Sequence, residues 1–305
     1  MSDPEATIDR PVFVIGTGRS GSTALMELIA YHEAFAWPSQ YNSRWPRAHR
    51  WSFASRVVDL PIVRTHRRMR FVPKHDEAYA LWNSCYPAFA TPFRDLVADD
   101  ATPYVQRRFR NTVADVMRYQ GKRRFITKYT GWSRIEFLRA IFPDAKFIHI
   151  VRDGRAVANS LLSVDWWQGW EGVYKWRWGV PSQEILDALA RYDDSFLALA
   201  AIQWKILIRN ISEKSATLPA DDMLVIRYED LISAPEQEVD RIVAFCAPNE
   251  VDIRLAEHVA AFPIVNANTT ERRIAPWRDN VTDAQMHMLT DLIGEELEWF
   301  GYRAQ

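Results

Sequence analysis

The sequence predicts an α/β fold, a parallel sheet flanked by helices, from three observations. Short apolar runs rich in β-branched residues recur along the chain. Segments with helical apolar spacing lie between them, and the first run opens directly into a glycine-rich turn. Pro11–Ile15 reads as a buried parallel strand, because it is apolar on both faces. The turn Gly16–Thr23 (GTGRSGST) follows, then good helix formers over Ala24–Ala30. Arg124–Lys128 reads as a second strand. Trp132–Phe142 carries apolar residues at helical spacing and is stopped by Pro143. Lys146–Val151 is a third strand with a helix over Gly154–Leu162, and Tyr192–Ser212 has a helical apolar stripe. Met223–Arg227 is a further strand, and Pro235–Cys246 and Thr282–Trp299 are helices. From Trp37 to about Pro103 the many Pro, Arg and aromatic residues show no clean period. No linker divides the chain, so one domain over 1–305 is expected.

Composition narrows the function classes. Of 305 residues, 48% are hydrophobic and 25% charged, which suits a globular protein with a substantial core. The net charge of -1 argues against a nucleic-acid binder that works by bulk electrostatics. The two cysteines, Cys85 and Cys246, fit no metal-type spacing, so reduced core thiols and no metal site are expected. The polar, acidic start of the chain resembles no signal peptide, and no run is long and apolar enough to be a transmembrane segment. A cytoplasmic protein is the expectation.

The turn Gly16–Thr23 has the chemistry of an anion cradle. Its three glycines let successive N–H groups point inward toward the start of the following helix, and Ser20, Ser22 and Thr23 add hydroxyls. It departs from the ATP and GTP loop G-x-x-x-x-G-K-[ST]. Ser22 stands where that motif has lysine, and the cation is Arg19, three residues earlier. Such a loop suits a donor whose transferable group sits directly on a 5′-phosphate.

Gly18–Thr23 (GRSGST) resembles the 5′-phosphosulfate loop of the sulfotransferases that use 3′-phosphoadenosine-5′-phosphosulfate (PAPS), in the form shared by tyrosylprotein sulfotransferases and many bacterial members. The resemblance implies a sulfotransferase fold. It also implies a sulfuryl transfer from PAPS to a hydroxyl or amine of a small-molecule, carbohydrate or lipid acceptor. Gly18, Arg19, Ser20, Gly21, Ser22 and Thr23 would hold the 5′ end, with Arg19 stabilising charge on the bridging oxygen.

Val151–Ser160 (VRDGRAVANS) extends the resemblance. Arg152 emerges at the carboxyl end of a buried strand, where open α/β sheets bind ligands. Ser160 follows eight residues later, and in the family an Arg and a Ser at this spacing clamp the 3′-phosphate. Arg supplies a planar fork and Ser a neutral donor. Lys128 resembles the lysine that holds the transferring sulfuryl group, although Tyr129 follows where the tyrosylprotein group has an acidic residue and Pro. Tyr228, in Val225–Leu231 (VIRYEDL), matches a tyrosine that contacts the adenine end. Arg272 and Arg273 resemble basic residues over the 3′-phosphate, without the glycine-rich form of that loop.

A general base is harder to place. The tyrosylprotein branch carries a glutamate about twenty residues after the loop arginine; here that position is Gln40, and an amide cannot accept the proton. Glu77 is the first substitute and His66 the second, with His75 and Asp76 nearby. The segments at about 37–110 and 164–195 are expected on the acceptor side. Asp165–Trp178 holds five tryptophans and one tyrosine; it suits an acceptor wall, a packed cap or a homodimer contact. Two other readings stand beside the transferase. One is a small-molecule kinase, disfavoured by the missing loop lysine. The other is an inactive nucleotide-binding scaffold, supported only by Gln40.

Overall fold

The computed structural model describes residues 8–60, 63, 72–247 and 277–302. The predicted α/β fold is present, as a five-stranded sheet flanked by helices. The strands are β1 (Val12–Gly16), β2 (Phe35–Ala36), β3 (Arg124–Thr130), β4 (Lys146–Val151) and β5 (Met223–Arg227). All pair in parallel, in the order β2-β3-β1-β4-β5. Parallel neighbours need long crossovers, and helices supply them. β1 lies at the centre, so its carboxyl end is flanked by those of β3 and β4.

Alternation along β1 explains how the sheet is buried on both sides. Phe13 and Ile15 join one core with Phe125, Tyr129, Phe147 and the helix Pro103–Gln120. Val12 and Val14 join the other, with Leu25, Ile148, Ile150 and Ile226. A third cluster forms where the helices Gly154–Leu161, Phe196–Ser215 and Asp283–Trp299 pack together.

Several boundaries differ from the sequence reading. β3 continues to Thr130, so Lys128 lies within the strand and not at its end. The helix expected over Trp132–Phe142 begins only at Ile135, because Arg134 sits at φ 53 and turns the chain into it. The helix expected from Tyr192 begins at Phe196, after two left-handed residues, Asp193 and Asp194, and runs on to Ser215. The sequence reading missed the helix Pro103–Gln120, although its signals are present. Thr102 caps it by accepting the Val105 N–H, Pro103 occupies the first turn, and Gly121 ends it at φ 69.

Candidate active site

The glycine turn connects β1 to the helix Ser22–Ile29. Arg19 (φ 67) and Gly21 (φ 91) both take left-handed backbone, the conformation that curls a chain into an anion-binding turn. The Thr17 and Ser20 hydroxyls are buried and have no hydrogen-bond partner among the described residues. Buried polar atoms are normally paired, so these two hydroxyls and the curled backbone together fit an anion.

The neighbouring strands deliver cations to this turn. From β4, Arg152 Nη1 donates to the Arg19 carbonyl at 3.3 Å, and its guanidinium lies 4.6 Å from the centre of the Tyr228 ring. That ring also packs on the turn: a Cβ built on Gly21 would fall 2.1 Å from Tyr228 Cδ2, so only glycine fits there. Arg19 Nε donates to Ser160 Oγ at 2.9 Å, bringing the loop onto the helix after β4. From β3, the largely buried Lys128 donates to Thr23 Oγ1 at 2.8 Å and pairs with Glu77 at 3.1 Å. Arg19, Arg152, Ser160, Tyr228, Lys128 and Glu77, far apart in sequence, therefore converge on one turn. His66, Arg272 and Arg273 lie outside the described residues.

The loop with Glu77 is fixed by residues near the chain start. Gln40 Oε1 accepts the Lys74 N–H at 2.6 Å, and its Nε2 donates to the Val72 carbonyl at 3.1 Å. Gln40 thus holds the 72–74 backbone, one reason an amide occupies that position: it must both accept and donate. Ser43 donates to the Asp76 carboxylate, and the Asp76 N–H donates to the Pro38 carbonyl at 2.8 Å. His75 buries both ring nitrogens without a hydrogen-bond partner among the described residues. Burial, and secondarily the charge on Lys128, push its pKa down to about 3, so its imidazole is neutral near pH 7 and weakly basic.

Glu27, which sequence reading did not name, lies within the field of the Lys128 charge. Burial raises its pKa, and Lys74 and Lys128 partly offset this. It sits four residues after Thr23, so the helical repeat brings it to the same face as the hydroxyl that Lys128 contacts. That spacing was available in the sequence. Glu229, beside Tyr228, has a structural task. It accepts the Asp153 N–H at 3.2 Å and the Tyr302 hydroxyl at 2.6 Å, and burial raises its pKa.

The tryptophan-rich segment divides by burial. Trp167 and Trp176 are buried, with Trp167 Nε1 donating to Gln203 Oε1 at 2.7 Å and Trp176 Nε1 to the Gly179 carbonyl at 3.0 Å. Trp166 is exposed, and the edge of its indole lies 3.5 Å from where a Cβ on Gly18 would stand. Trp178 closes in the same way on Gly131, just after β3. Among the described residues no group of three or more His, Cys, Asp or Glu is placed to hold a metal ion.

Comparison with known proteins identifies the family. The model of the Sulfotransferase family matches residues 11–249. The chain is 24% identical over 323 aligned positions to the omega-hydroxy-beta-dihydromenaquinone-9 sulfotransferase Stf3 of Mycobacterium bovis, covering 96% of this chain and 76% of that protein. Similarity to protein-tyrosine sulfotransferase A of Caenorhabditis elegans is partial: 23% identity over 109 residues, 36% of this chain and 23% of that one. Among solved structures, sulfotransferase STF9 of Mycobacterium avium superposes with a TM-score of 0.57 at 15% identity, covering 98% of this chain and 78% of that one. With the family model spanning the strands, the glycine turn and the helix bearing Ser160, this chain belongs to the PAPS-dependent sulfotransferase family.

Proposed function

We propose that the chain moves the sulfuryl group of PAPS to the hydroxyl of a hydrophobic acceptor, leaving a sulfate ester and adenosine 3′,5′-bisphosphate. The observation that carries this reading is the meeting of Arg152, Arg19, Ser160 and Tyr228 around one glycine turn. In this reading the turn residues Gly18–Thr23 hold the 5′ end of the nucleotide, and Tyr228 lies beside the adenine. Arg152 and Ser160 take the 3′-phosphate, together with Arg272 and Arg273 by resemblance. Oxygens of the nucleotide replace the Arg19–Ser160 contact with their own hydrogen bonds.

The transfer breaks the bond from sulfur to the bridging oxygen of the 5′-phosphate and forms one from sulfur to the acceptor oxygen. By analogy with phosphoryl transfer, such an in-line displacement depends on positioning and on cations at the oxygens. Lys128 and Arg19 supply the cations. Glu77 takes the acceptor proton, supported by its carboxylate lying 3.1 Å from Lys128 Nζ, on the loop that Gln40 fastens. A proton acceptor must reach the reacting centre before its basicity matters, and the contact with Lys128 supports Glu77 in that role. An apolar acceptor is favoured by the exposed indole of Trp166 over Gly18 and by similarity to a relative named for a hydroxylated menaquinone.

The test compares nucleotides and then chemistry. Adenosine 3′,5′-bisphosphate should raise the melting temperature well above the shifts given by AMP or by ATP with Mg²⁺, and sulfur-labelled PAPS should label a long-chain alcohol in the presence of a chelator. Equal stabilisation by AMP would remove the 3′-phosphate clamp. Magnesium-dependent phosphate transfer from ATP would replace the reading with a kinase.

A further inference from the structure

We propose that the face built from residues 41–60 docks on the surface of an anionic lipid bilayer. It is formed by the short helix Gln40–Arg44 and the 3₁₀ segment His49–Asp59, and the helix is hydrogen-bonded to the loop that precedes Glu77. Sequence reading gave this stretch only a general place on the acceptor side, with no regular element in it, and the sulfuryl-transfer chemistry does not use it.

Two properties define the face. The first is exposed apolar surface concentrated in a short run. Trp45 and Trp51 are each 41% exposed, Phe53 58% and Leu60 52%, values high enough that their rings and chains are not core. The indoles are not scattered. Trp45 and Trp51 stack with centroids 4.8 Å apart, and Tyr41 stacks on Trp45 at 6.2 Å. A contiguous exposed aromatic platform marks an interaction surface more than isolated apolar residues do.

The second property is charge. From residue 34 to residue 58 the chain has no Asp or Glu, yet it carries Arg44, Arg47, Arg50 and Arg56 in a protein of net charge -1. Arg56 is bonded to the Tyr119 carbonyl at 2.7 Å, while Arg44, Arg47 and Arg50 are exposed. Arg47 also lines a cleft of about 500 Å³ with His49, Ser84, Tyr104 and Arg108, a polar, cationic lining that suits a lipid phosphate. Stacked indoles flanked by arginines match the boundary between acyl chains and negative headgroups, where aromatic rings sit and basic side chains reach outward.

The position gives the contact a use. Gln40 and Ser43, at the start of this face, bond the 72–76 backbone and Asp76, immediately before Glu77. A bilayer held against the face would lie beside the acceptor side of the site. The docking itself does not depend on which acceptor is sulfated.

The experiment is co-sedimentation of the full chain with vesicles. Binding is expected to equimolar phosphatidylcholine and phosphatidylglycerol, to be weak with phosphatidylcholine alone, and to fall as salt is raised. The variant R44A/R47A/R50A should lower the partition coefficient about 100-fold, from roughly fivefold per arginine near an anionic surface. Trp45→Ser with Trp51→Ser should also weaken it. Both variants should keep adenosine 3′,5′-bisphosphate binding, which reports that they are folded. No sedimentation of the unaltered chain with the anionic vesicles would overturn the proposal without recourse to any variant. So would equal binding to both vesicle types, or binding only to an acidic polypeptide.

Discussion

Replacing Gly21 by alanine tests the cradle at its tightest point. Gly21 has φ +91, and a Cβ there would lie 2.1 Å from Tyr228 Cδ2 and 2.6 Å from Cε2. Carbon–carbon contact becomes comfortable near ~3.5 Å, so the ring would have to retreat by about 1.4 Å. Left-handed backbone costs a residue with a Cβ roughly 1–2 kcal/mol, and forced repacking costs a further ~1–3 kcal/mol. The ring cannot move alone, because the Arg152 guanidinium lies 4.6 Å from its centre and is bonded to the loop carbonyl of Arg19. Gly21→Ala should therefore lose about 2–5 kcal/mol in urea unfolding, the sum of those two terms. It should also bind adenosine 3′,5′-bisphosphate at least tenfold more weakly in a calorimetric titration, equivalent to about 1.4 kcal/mol. Adding Tyr228→Ala should recover the repacking part and leave the backbone part, a coupling that a double-mutant cycle reads directly. A Gly21→Ala protein with unaltered stability and affinity would refute the geometry of the turn.

Other substitutions separate binding from chemistry. Arg152→Ala should weaken adenosine 3′,5′-bisphosphate by about 10- to 100-fold, the range for a lost charged hydrogen bond, while AMP affinity stays the same; a parallel loss for both ligands would contradict the assignment. Glu77→Gln should lower kcat by roughly 10²–10⁴ with nucleotide affinity unchanged, the usual span for a general base; full turnover would exclude Glu77 from that role. Gln40→Glu would set a carboxylate against the Val72 carbonyl that the amide now donates to, costing about 1–3 kcal/mol. It should bring no gain in turnover, and faster turnover would show that position 40 can face the acceptor. Acid should destabilise the fold through His149, a buried β4 residue whose Nε2 has no partner among the described residues. Burial lowers its pKa from 6.5 to about 4. The unfolded chain takes up this proton first, so the stabilisation is complete above pH 6.5 and is lost as pH falls toward 4. The full loss is on the order of 3 kcal/mol, of which about 2 kcal/mol falls between pH 7 and pH 5, and His149→Phe should shrink that part in urea titrations at the two pH values.

β1 and β4 were legible because strands buried on both faces need continuous apolar runs, whereas β5, at the sheet edge with Val225 41% exposed, was legible only from its short apolar run. The glycine turn and the Arg152–Ser160 spacing were legible because they are local. The helix Pro103–Gln120 was missed although Thr102, Pro103 and Gly121 punctuate it, since the irregular stretch before it hid its apolar stripe. Glu27 escaped for a different reason: a carboxylate on a helix is ordinarily solvated, and only the fold buries this one within the field of Lys74 and Lys128.

By itself the sequence determined four of the five sheet-forming segments, the glycine turn and the residue types available to it, because those depend on neighbours along the chain; the two-residue β2 is too short to leave such a record. Tertiary structure alone decided which of them meet. The order β3-β1-β4 sets Lys128 and Arg152 on opposite sides of the turn, Gln40 fastens the loop that brings Glu77 to Lys128, and Tyr228 arrives from the end of β5. Such meetings depend on strand order and on side-chain packing across long separations, and no local run of residues records them.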